Sequence, residues 1–485
     1  MRVPNRTHLY LKLTFITLAL ILGNNGCNEK LEDQTKPNVL FIFVDDLGWK
    51  DIGAFGSDFY QTPNVDFLAT EGLSFDNAYA ACTVCSPTRA SVMTGKYPAT
   101  LNCTDWIEGW NFPHAKLKVP EWTKFLDEEE VTMAEIFKES GYVTGHFGKW
   151  HLGEDEKYWP ENHGFDVNVG GWKKGAPNRN KKEGYNGYFA PFGNPRMDDL
   201  PDDDYLTDRL TKEAVAFIEE NKDEPFFLNF WLYQVHTPLQ AKPEKIEKYK
   251  KLLSDDLSQK NPTYAAMVEH MDDAVGVLIQ KLKDLGLYDN TIIVFTSDNG
   301  GLVGKNNNIT NNYPLRSGKG DMYEGGVRVP LIIKDLSGNT AGKWNSTPII
   351  STDFLPTLAK LADAVVPEKV IRRWDGIDFS ELVNGNEQEL KRESIFWHYP
   401  HYHIEGAVPH SAIRNGKWKM IHNIETDTYE LYDLEKDISE SENLINVFPE
   451  VGRDLINKLE NWKNEVQAQM PTSNPDFDPS KLFFL

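Results

Sequence analysis

The sequence predicts an α/β fold: a large mixed, mostly parallel sheet sandwiched by helices, followed by a smaller α+β region with an antiparallel sheet. Three observations carry this. Continuous apolar runs end abruptly in polar residues, as in "NVLFIFVDD" (38–46) and "TIIVFTSDNGG" (291–301), the pattern of strands buried on both faces. Helical patterns separate these runs, and strands alternating with helices build parallel sheets. After about residue 385 the texture changes to short strands joined by turns.

Taken in order, "MRVPNRTHLYLKLTFITLALILGNNGC" sets basic residues before an apolar run from Leu13 to Leu22, then small and polar residues. This is a secretory signal over residues 1–27, too short to span a bilayer comfortably. Cys27 closes the segment and leaves two routes: a lipoprotein whose mature first residue is a lipidated Cys27, or ordinary cleavage and release. Both export the chain, to the periplasm, the cell surface or the medium. Residues 37–385 form the first domain. Its strands are 38–46, "YVTGHFGKWHLG" (142–153) ending in Lys149 and His151, "PFFLNFWLYQVHTP" (225–238) ending in His236, 291–301, and "RVPLIIK" (328–334), preceded by the glycine-rich "SGKGDMYEGG". Its helices are "TPNVDFLATEG", "VTMAEIFKESG", "DRLTKEAVAFIEEN" and the long "PTYAAMVEHMDDAVGVLIQKLKDLG". The glycine-, asparagine- and proline-rich stretch 173–204 reads as a long surface loop over the site. Residues 386–485 form the second domain: "ESIFWHYPHYH", "SAIRNGKWKMIHN" and "TYELYDLEKD" as strands, and "VGRDLINKLENWKNEVQAQ" as a terminal helix.

The 485 residues carry 73 acidic against 51 basic side chains, a formal charge of −22, with no lysine/arginine block. Nucleic acid is therefore excluded as a partner. An anionic substrate would require a local cluster of Lys, Arg and His to reverse that field.

In an open α/β sheet the ligand crevice lies outside the carboxyl ends of the strands. Asp45, Asp46, Lys149, His151, His236, Asp298 and Asn299 all fall at such ends. Asp45, Asp46, Asp298 and Asn299 are hard oxygen donors without thiolate or imidazole, a set that suits Ca²⁺ or Mg²⁺ rather than zinc. Either pair alone is an ordinary turn signal, but two pairs in one crevice favour a metal.

Without Cys27 the cysteines are Cys82, Cys85 and Cys103, an odd number for an exported chain. Cys82-x-x-Cys85 as a redox pair or half a zinc site fits poorly, because no second Cys/His pair follows at zinc spacing. In "ACTVCSPTRASVMTG" (81–95), Ser86 is placed as N-cap, Pro87 as the first helical residue and Gly95 as the stop. Cys85 then sits at the positive end of a helix, where anions bind.

With Cys85-Ser-Pro-Thr-Arg89 and "ASVMTG" following the "VDD" strand, the chain resembles the formylglycine-dependent (type I) sulfatases of the alkaline phosphatase superfamily. The resemblance runs from about Asn38 to "AQMPTSNPDFDP". It implies that Cys85 is oxidised to formylglycine (3-oxoalanine) by a formylglycine-generating or sulfatase-maturating enzyme. It further implies that Asp45, Asp46, Asp298, Asn299 and the modified Cys85 bind one calcium ion. Arg89 and Lys149 would hold the formylglycine and neutralise the sulfate, and His151 would assist the hydrated aldehyde. His236 and Lys319 would contact the ester near its leaving oxygen. The implied substrate is a sulfated carbohydrate, either an algal polysaccharide such as ulvan or a galactan, or glycosaminoglycan fragments. The competing readings are a phosphodiesterase or phosphonate hydrolase of the same superfamily, and a catalytically silent glycan-binding relative.

Lys319 in Gly-Lys-Gly lacks the Walker spacing of a phosphate loop. His146 and His270 match no catalytic position of the family, and His270 reads as an ordinary helical residue. The cluster Trp397, His398, His401 and His403 either packs the domain interface or lines the pocket, with Trp397 and His401 as the candidates for substrate contact.

Overall fold

The apolar runs become strands whose two faces are both covered. In the computed structural model, which describes residues 36–198, 204–304, 308–387 and 389–481, strand β1 (Asn38–Val44) is buried at all seven positions. It lies between β6 (Phe226–Trp231) and β7 (Thr291–Ser297), parallel to both, with Val39 level with Phe227 and Ile292. The other strands are β2 (Leu73–Tyr79), β3 (Leu117–Lys118), β4 (Val143–Gly148), β5 (Val167–Val169), β8 (Arg328–Lys334), β9 (Lys343–Asn345) and β10 (Ile349–Ile350). The main sheet runs β10-β2-β8-β7-β1-β6-β4-β5, with β9 also on β2, and every pairing is parallel except those of β8. The predicted mixed, mostly parallel sheet is what forms.

Successive side chains of a strand point to opposite faces, so β1 feeds two cores. Leu40, Ile42 and Val44 join one core with α4 (Leu206–Glu220) and α6 (Pro262–Asp284), including Phe217, Met267 and Val275. Val39, Phe41 and Phe43 join the other with α2 (Cys85–Thr94), α3 (Met133–Glu139) and α8 (Phe354–Leu361), including Val92, Phe137 and Leu355. The remaining helices, α1 (Pro63–Glu71), α5 (Pro243–Leu252) and α7 (Glu324–Val327), have no side-chain hydrogen bond from their own N-cap residues. Thr132 and Glu135 form a reciprocal capping box on α3. The Asp272 carboxylate of α6 accepts the Asn64 and Val65 N–H groups that open α1.

The C-terminal strands β11 (Ser394–Tyr399), β12 (His410–Asn415), β13 (Trp418–Asn423) and β14 (Thr428–Asp433) form the expected antiparallel sheet in sequence order, with helix α9 (Pro449–Glu465) packed on it. A strand β15 (Thr472–Ser473) pairs with β3. Pro37–Leu485 is nevertheless one compact unit, with no division at residue 385. The second sheet shares its core with the first: Trp397, Ile413, Met420 and Leu459 pack with Tyr79, Val84 and Tyr97. Lys419, fully buried, pairs with Glu324 across the same boundary at 2.9 Å and with Glu440 on its own side at 3.0 Å. Among the described residues no helix is long and apolar enough to cross a membrane, and the signal segment with Cys27 lies outside them.

Candidate active site

Parallel strands put their carboxyl ends on one side, and backbone pairing carries the polar residues past those ends at one level. Asp45 N–H donates to Gln234 O, Asp298 N–H to Val44 O and Lys149 N–H to Trp231 O. The last bond depends on Gly148, at φ +115, where a Cβ would stand 1.9 Å from Trp231 O. Asp46 and His151 lie at φ 62 and 61, a left-handed conformation costing a non-glycine residue ~1–3 kcal/mol. Both strained residues face the crevice chemistry described below.

The three carboxylates are buried and each meets one cation. Lys149 Nζ lies 2.7 Å from Asp45 Oδ2, Lys319 Nζ 2.7 Å from Asp46 Oδ1, and Arg89 Nη2 2.7 Å from Asp298 Oδ2. Arg89 also donates Nε–H to Asp298 Oδ2 and Nη1–H to Lys149 O, with its guanidinium over the Phe43 and Trp231 rings. Asp298 Oδ1 accepts Asp46 N–H, and Asn299 Nδ2–H donates to Asp46 Oδ1, which ties the two strand ends together. Burial raises Asp46 and Asp298, but the adjoining cations outweigh it and hold both below the ordinary carboxylate range. For Asp45 burial wins over Lys149 and the carboxyl is pushed up.

Two oxygens of this cluster, Asp45 Oδ1 and Asn299 Oδ1, are buried with no donor from the described residues. Asp45, Asp46 and His236 present ligating atoms within 4.8 Å of one another. Orphaned acceptors among carboxylates fit a hard cation, which satisfies lone pairs that no N–H reaches.

Cys85 opens α2 on the same side. The structure corrects the expected helix start: Val84, in extended conformation, is the N-cap and Cys85 the first helical residue. Ser86 is not the cap because its hydroxyl is engaged elsewhere, accepting Ile107 N–H and meeting His151 Nδ1 at 3.2 Å. Gly95 closes the helix in the left-handed conformation as expected. Cys85 Sγ lies 3.3 Å from His151 Nδ1 and is close enough to Arg89 and Lys319 to interact with them electrostatically. His151 Nε2 donates to Ile107 O at 3.0 Å, which leaves Nδ1 as an acceptor toward residue 85. Burial, then Lys149, push His151 well below its ordinary value, so the ring is neutral. Cys82, Cys85 and Cys103 are all buried and free.

His236 Nδ1–H donates to Thr237 O, and Nε2 stands 3.7 Å from Asp46 Oδ2. Burial, then Lys319, push it down to about 3. The stretch 173–204 does reach the site, since Gly175 lies against the His151 ring, but it is not only surface. Tyr188 is fully buried and donates to Tyr233 O and His236 O.

The expected substrate contacts of Trp397 and His401 are corrected. Trp397 is 1% exposed, donates its indole N–H to Ala80 O and packs on Tyr79, so it belongs to the core between the sheets. His401, equally enclosed, meets Thr104 Oγ1 at 2.8 Å and packs edge-on against Trp122. His398 is held between Ser411 and Gln469. It is His403 that reaches the site, packed on Gly320 beside Lys319. His146 and His270 are buried among aromatic rings.

The sequence reading missed Asn312. Its Nδ2 lies 2.9 Å from Gly301 O, 3.0 Å from Ser317 O and 3.3 Å from Gly325 O, pinning the Lys319 loop to the end of β7. An asparagine within "NNNITNNYP" carries no local signal of that role.

Residues 37–364 match the family model described as Sulfatase, and residues 318–469 match one described as N-sulphoglucosamine sulphohydrolase, C-terminal. A sulfatase of Formosa agariphila is 31% identical over 89% of this chain and 90% of its own. An N-acetylgalactosamine-6-O-sulfatase of Bacteroides thetaiotaomicron is 27% identical over 90% and 96%. The crystal structure of Ps i-CgsB in complex with k-i-k-neocarrahexaose superposes with a TM-score of 0.73 at 32% identity, covering 93% of this chain and 95% of that one. A phosphonate monoester hydrolase of Agrobacterium radiobacter shares the fold, with a TM-score of 0.68 at 20% identity. With a family match over most of its length, on an alkaline phosphatase-like fold, the chain belongs to the type I sulfatases and is a sulfuric ester hydrolase.

Proposed function

We propose that this sulfatase hydrolyses a sulfate ester of a carbohydrate, with formylglycine at position 85 and one calcium ion held by Asp45, Asp46, Asp298 and Asn299. The observation that carries the reading is the juxtaposition at the head of α2. Cys85 sits at the helix N-terminus against the acceptor nitrogen of His151, in the field of Arg89 and Lys319, in a crevice where a buried carboxylate oxygen of Asp45 and a buried amide oxygen of Asn299 lack donors. The carbohydrate class is supported by the oligosaccharide bound to Ps i-CgsB and by the amino-sugar named in the Bacteroides relative.

Formylglycine at position 85, when hydrated, would supply one hydroxyl to take the sulfuryl group from the sugar oxygen and a second whose proton loss would reform the C=O bond as the C–O bond to sulfate breaks. Calcium supplies Lewis-acid polarisation of the sulfate oxygens. Everything else falls to the chain. His151, neutral and fixed by Ile107 O, offers Nδ1 to a hydroxyl proton on residue 85. Arg89 spends its fork on Asp298 and the Lys149 carbonyl, so it holds the carboxylate and the lysine in place. Lys149 and Lys319 bring two ammonium groups to the crevice and stabilise charge on the sulfuryl oxygens. His236 stands on the leaving-oxygen side. An anionic ester beside Nε2 offsets Lys319 and raises its affinity for a proton. The reading also takes the chain as exported, cleaved or lipidated at Cys27, and matured by a formylglycine-generating or sulfatase-maturating enzyme.

The test is a panel of defined sulfated oligosaccharides alongside the phosphate esters of the same alcohols, with mass spectrometry of the peptide spanning residue 85. Turnover of sulfate but not phosphate esters, with formylglycine at position 85, is expected. Fully active protein carrying unmodified cysteine sinks the mechanism, and preference for phosphate esters sinks the substrate class.

A further inference from the structure

The loop between β11 and β12 delivers one side chain from the C-terminal sheet to the catalytic crevice. His403 packs on Gly320 so closely that a Cβ there, at φ +89, would stand 2.3 Å from Nδ1. Gly320 follows Lys319, whose ammonium group is held by Asp46. The charged groups that act on the His403 ring are those same two, Lys319 and Asp46. The loop is fixed by its own backbone, with His403 N–H donating to Ala407 O and Gly406 N–H to His403 O, both at 2.9 Å.

The ring's tautomer follows from its neighbour. Nδ1 accepts the Glu405 N–H at 3.3 Å, so the proton resides on Nε2, and no described residue takes that N–H. Burial and Lys319 keep the imidazole neutral. A neutral donor does not compete with Lys149 and Lys319 for sulfate, but it suits an uncharged oxygen. On a sugar, the carbon bearing the ester has hydroxyl, ring or glycosidic oxygens on its neighbours. A phenyl sulfate has none.

We propose that His403 forms a subsite for the sulfated sugar itself, donating Nε2–H to an oxygen adjacent to the ester and so selecting sugars over aryl alcohols. This rests on the carbohydrate reading above and names the residue that would enforce it. A site built to hydrogen-bond a substrate hydroxyl discriminates against analogues that lack it.

The experiment compares wild type, His403→Ala and His403→Gln on a sulfated oligosaccharide that wild type cleaves, on its analogue deoxygenated next to the ester, and on 4-nitrophenyl sulfate. His403→Ala should lower kcat/KM on the sugar by about tenfold, the worth of one good hydrogen bond, mainly through KM. The aryl sulfate should change by less than about twofold. Gln, which retains an N–H donor, should recover part of the loss. The deoxy analogue should show little further loss in His403→Ala, because the interaction is already gone. Equal losses on sugar and aryl sulfate would mean that His403 only props the Lys319 loop, and an unaffected sugar rate would likewise overturn the subsite. If wild type turns over the aryl sulfate but no sugar sulfate, the carbohydrate reading falls and the subsite falls with it.

Discussion

Arg89→Met is the sharpest test of how the crevice is held together. The guanidinium is fully buried, donates to Asp298 through Nε and to the Lys149 carbonyl through Nη1, pairs with Asp298 through Nη2 at 2.7 Å, and lies over two aromatic rings. Methionine fills much of the same volume between Phe43 and Trp231 and removes the charge. Without a cation in the site, Asp298 is left as an unpaired buried carboxylate, a loss of ~3–5 kcal/mol. For about 450 folded residues the unfolding entropy is near 0.9 kcal/mol per degree, so Tm should fall by about 3–5 °C in EDTA. With saturating calcium the carboxylate regains a positive partner. The remaining loss, a carbonyl donor and two ring contacts, is ~1–2 kcal/mol and about 1–2 °C. Differential scanning fluorimetry of wild type and variant, each with EDTA and with calcium, reads both numbers. A Tm drop of the same size in both conditions, or none in EDTA, would refute the claim that Arg89 and the cation share Asp298.

Three further outcomes are expected. Chelation should abolish turnover and calcium restore it, while Asp298→Ala should lower bound calcium as well as rate, as measured by metal analysis of dialysed protein. His236→Ala should depress sugar-sulfate hydrolysis by ~10²–10⁴-fold and good aryl leaving groups far less, with a steeper dependence on leaving-group pKa. Equal losses throughout would reassign the residue to sulfate binding. Asp105, buried beneath Tyr399 and the Trp106 N–H and 3.9 Å from His401, is pushed up to about 8 by burial. A raised carboxyl stabilises the fold fully below its unfolded pKa and loses that contribution as pH rises toward 8. Asp105→Asn should therefore gain on wild type by roughly 4 kcal/mol between pH 5 and pH 8, seen as converging or crossing urea midpoints; a pH-independent gap would contradict it.

The strands at 38–44, 226–231 and 291–297 were legible because a strand buried on both faces is apolar at most positions, and the polar residues following their ends had nowhere to sit but the crevice. Direction was not legible. Nothing in "RVPLIIK" distinguishes the antiparallel course of β8, since its apolar centre, Val329 to Ile333, packs equally well either way round. β2 escaped notice because Asp76 and Asn77 interrupt its apolar pattern where its register with β8 shifts. The histidines of "HYH" show where periodicity stops helping. His401 and His403 lie beyond the end of β11, and a loop that reverses there sends one to Thr104 and the other to Gly320. The helix start at Cys85 was missed by the same kind of competition, because the Ser86 hydroxyl was already taken by Ile107 and His151.

Asp45, Asp46 and Asp298 face Lys149, Lys319 and Arg89 one to one, so with all three carboxylates ionised the protein alone is formally neutral there within a chain of −22. A neutral box has no strong reason to hold a sulfate, and its two lysines are engaged by its own carboxylates. A divalent cation held there by Asp45, Asp46, Asp298 and Asn299 would add two positive charges and compete for the carboxylates, which would loosen Lys149 and Lys319 toward an anion. Cation and sulfate should therefore bind cooperatively, and linkage requires the coupling to be equal in both directions. Titration calorimetry of inorganic sulfate should give weak or undetectable binding in EDTA and tighter binding by about tenfold or more with calcium, and sulfate should tighten calcium by the same factor. Sulfate affinity that is indifferent to the cation would show that the lysines are already free to bind anions, and that the pairing seen in the structure does not govern the site.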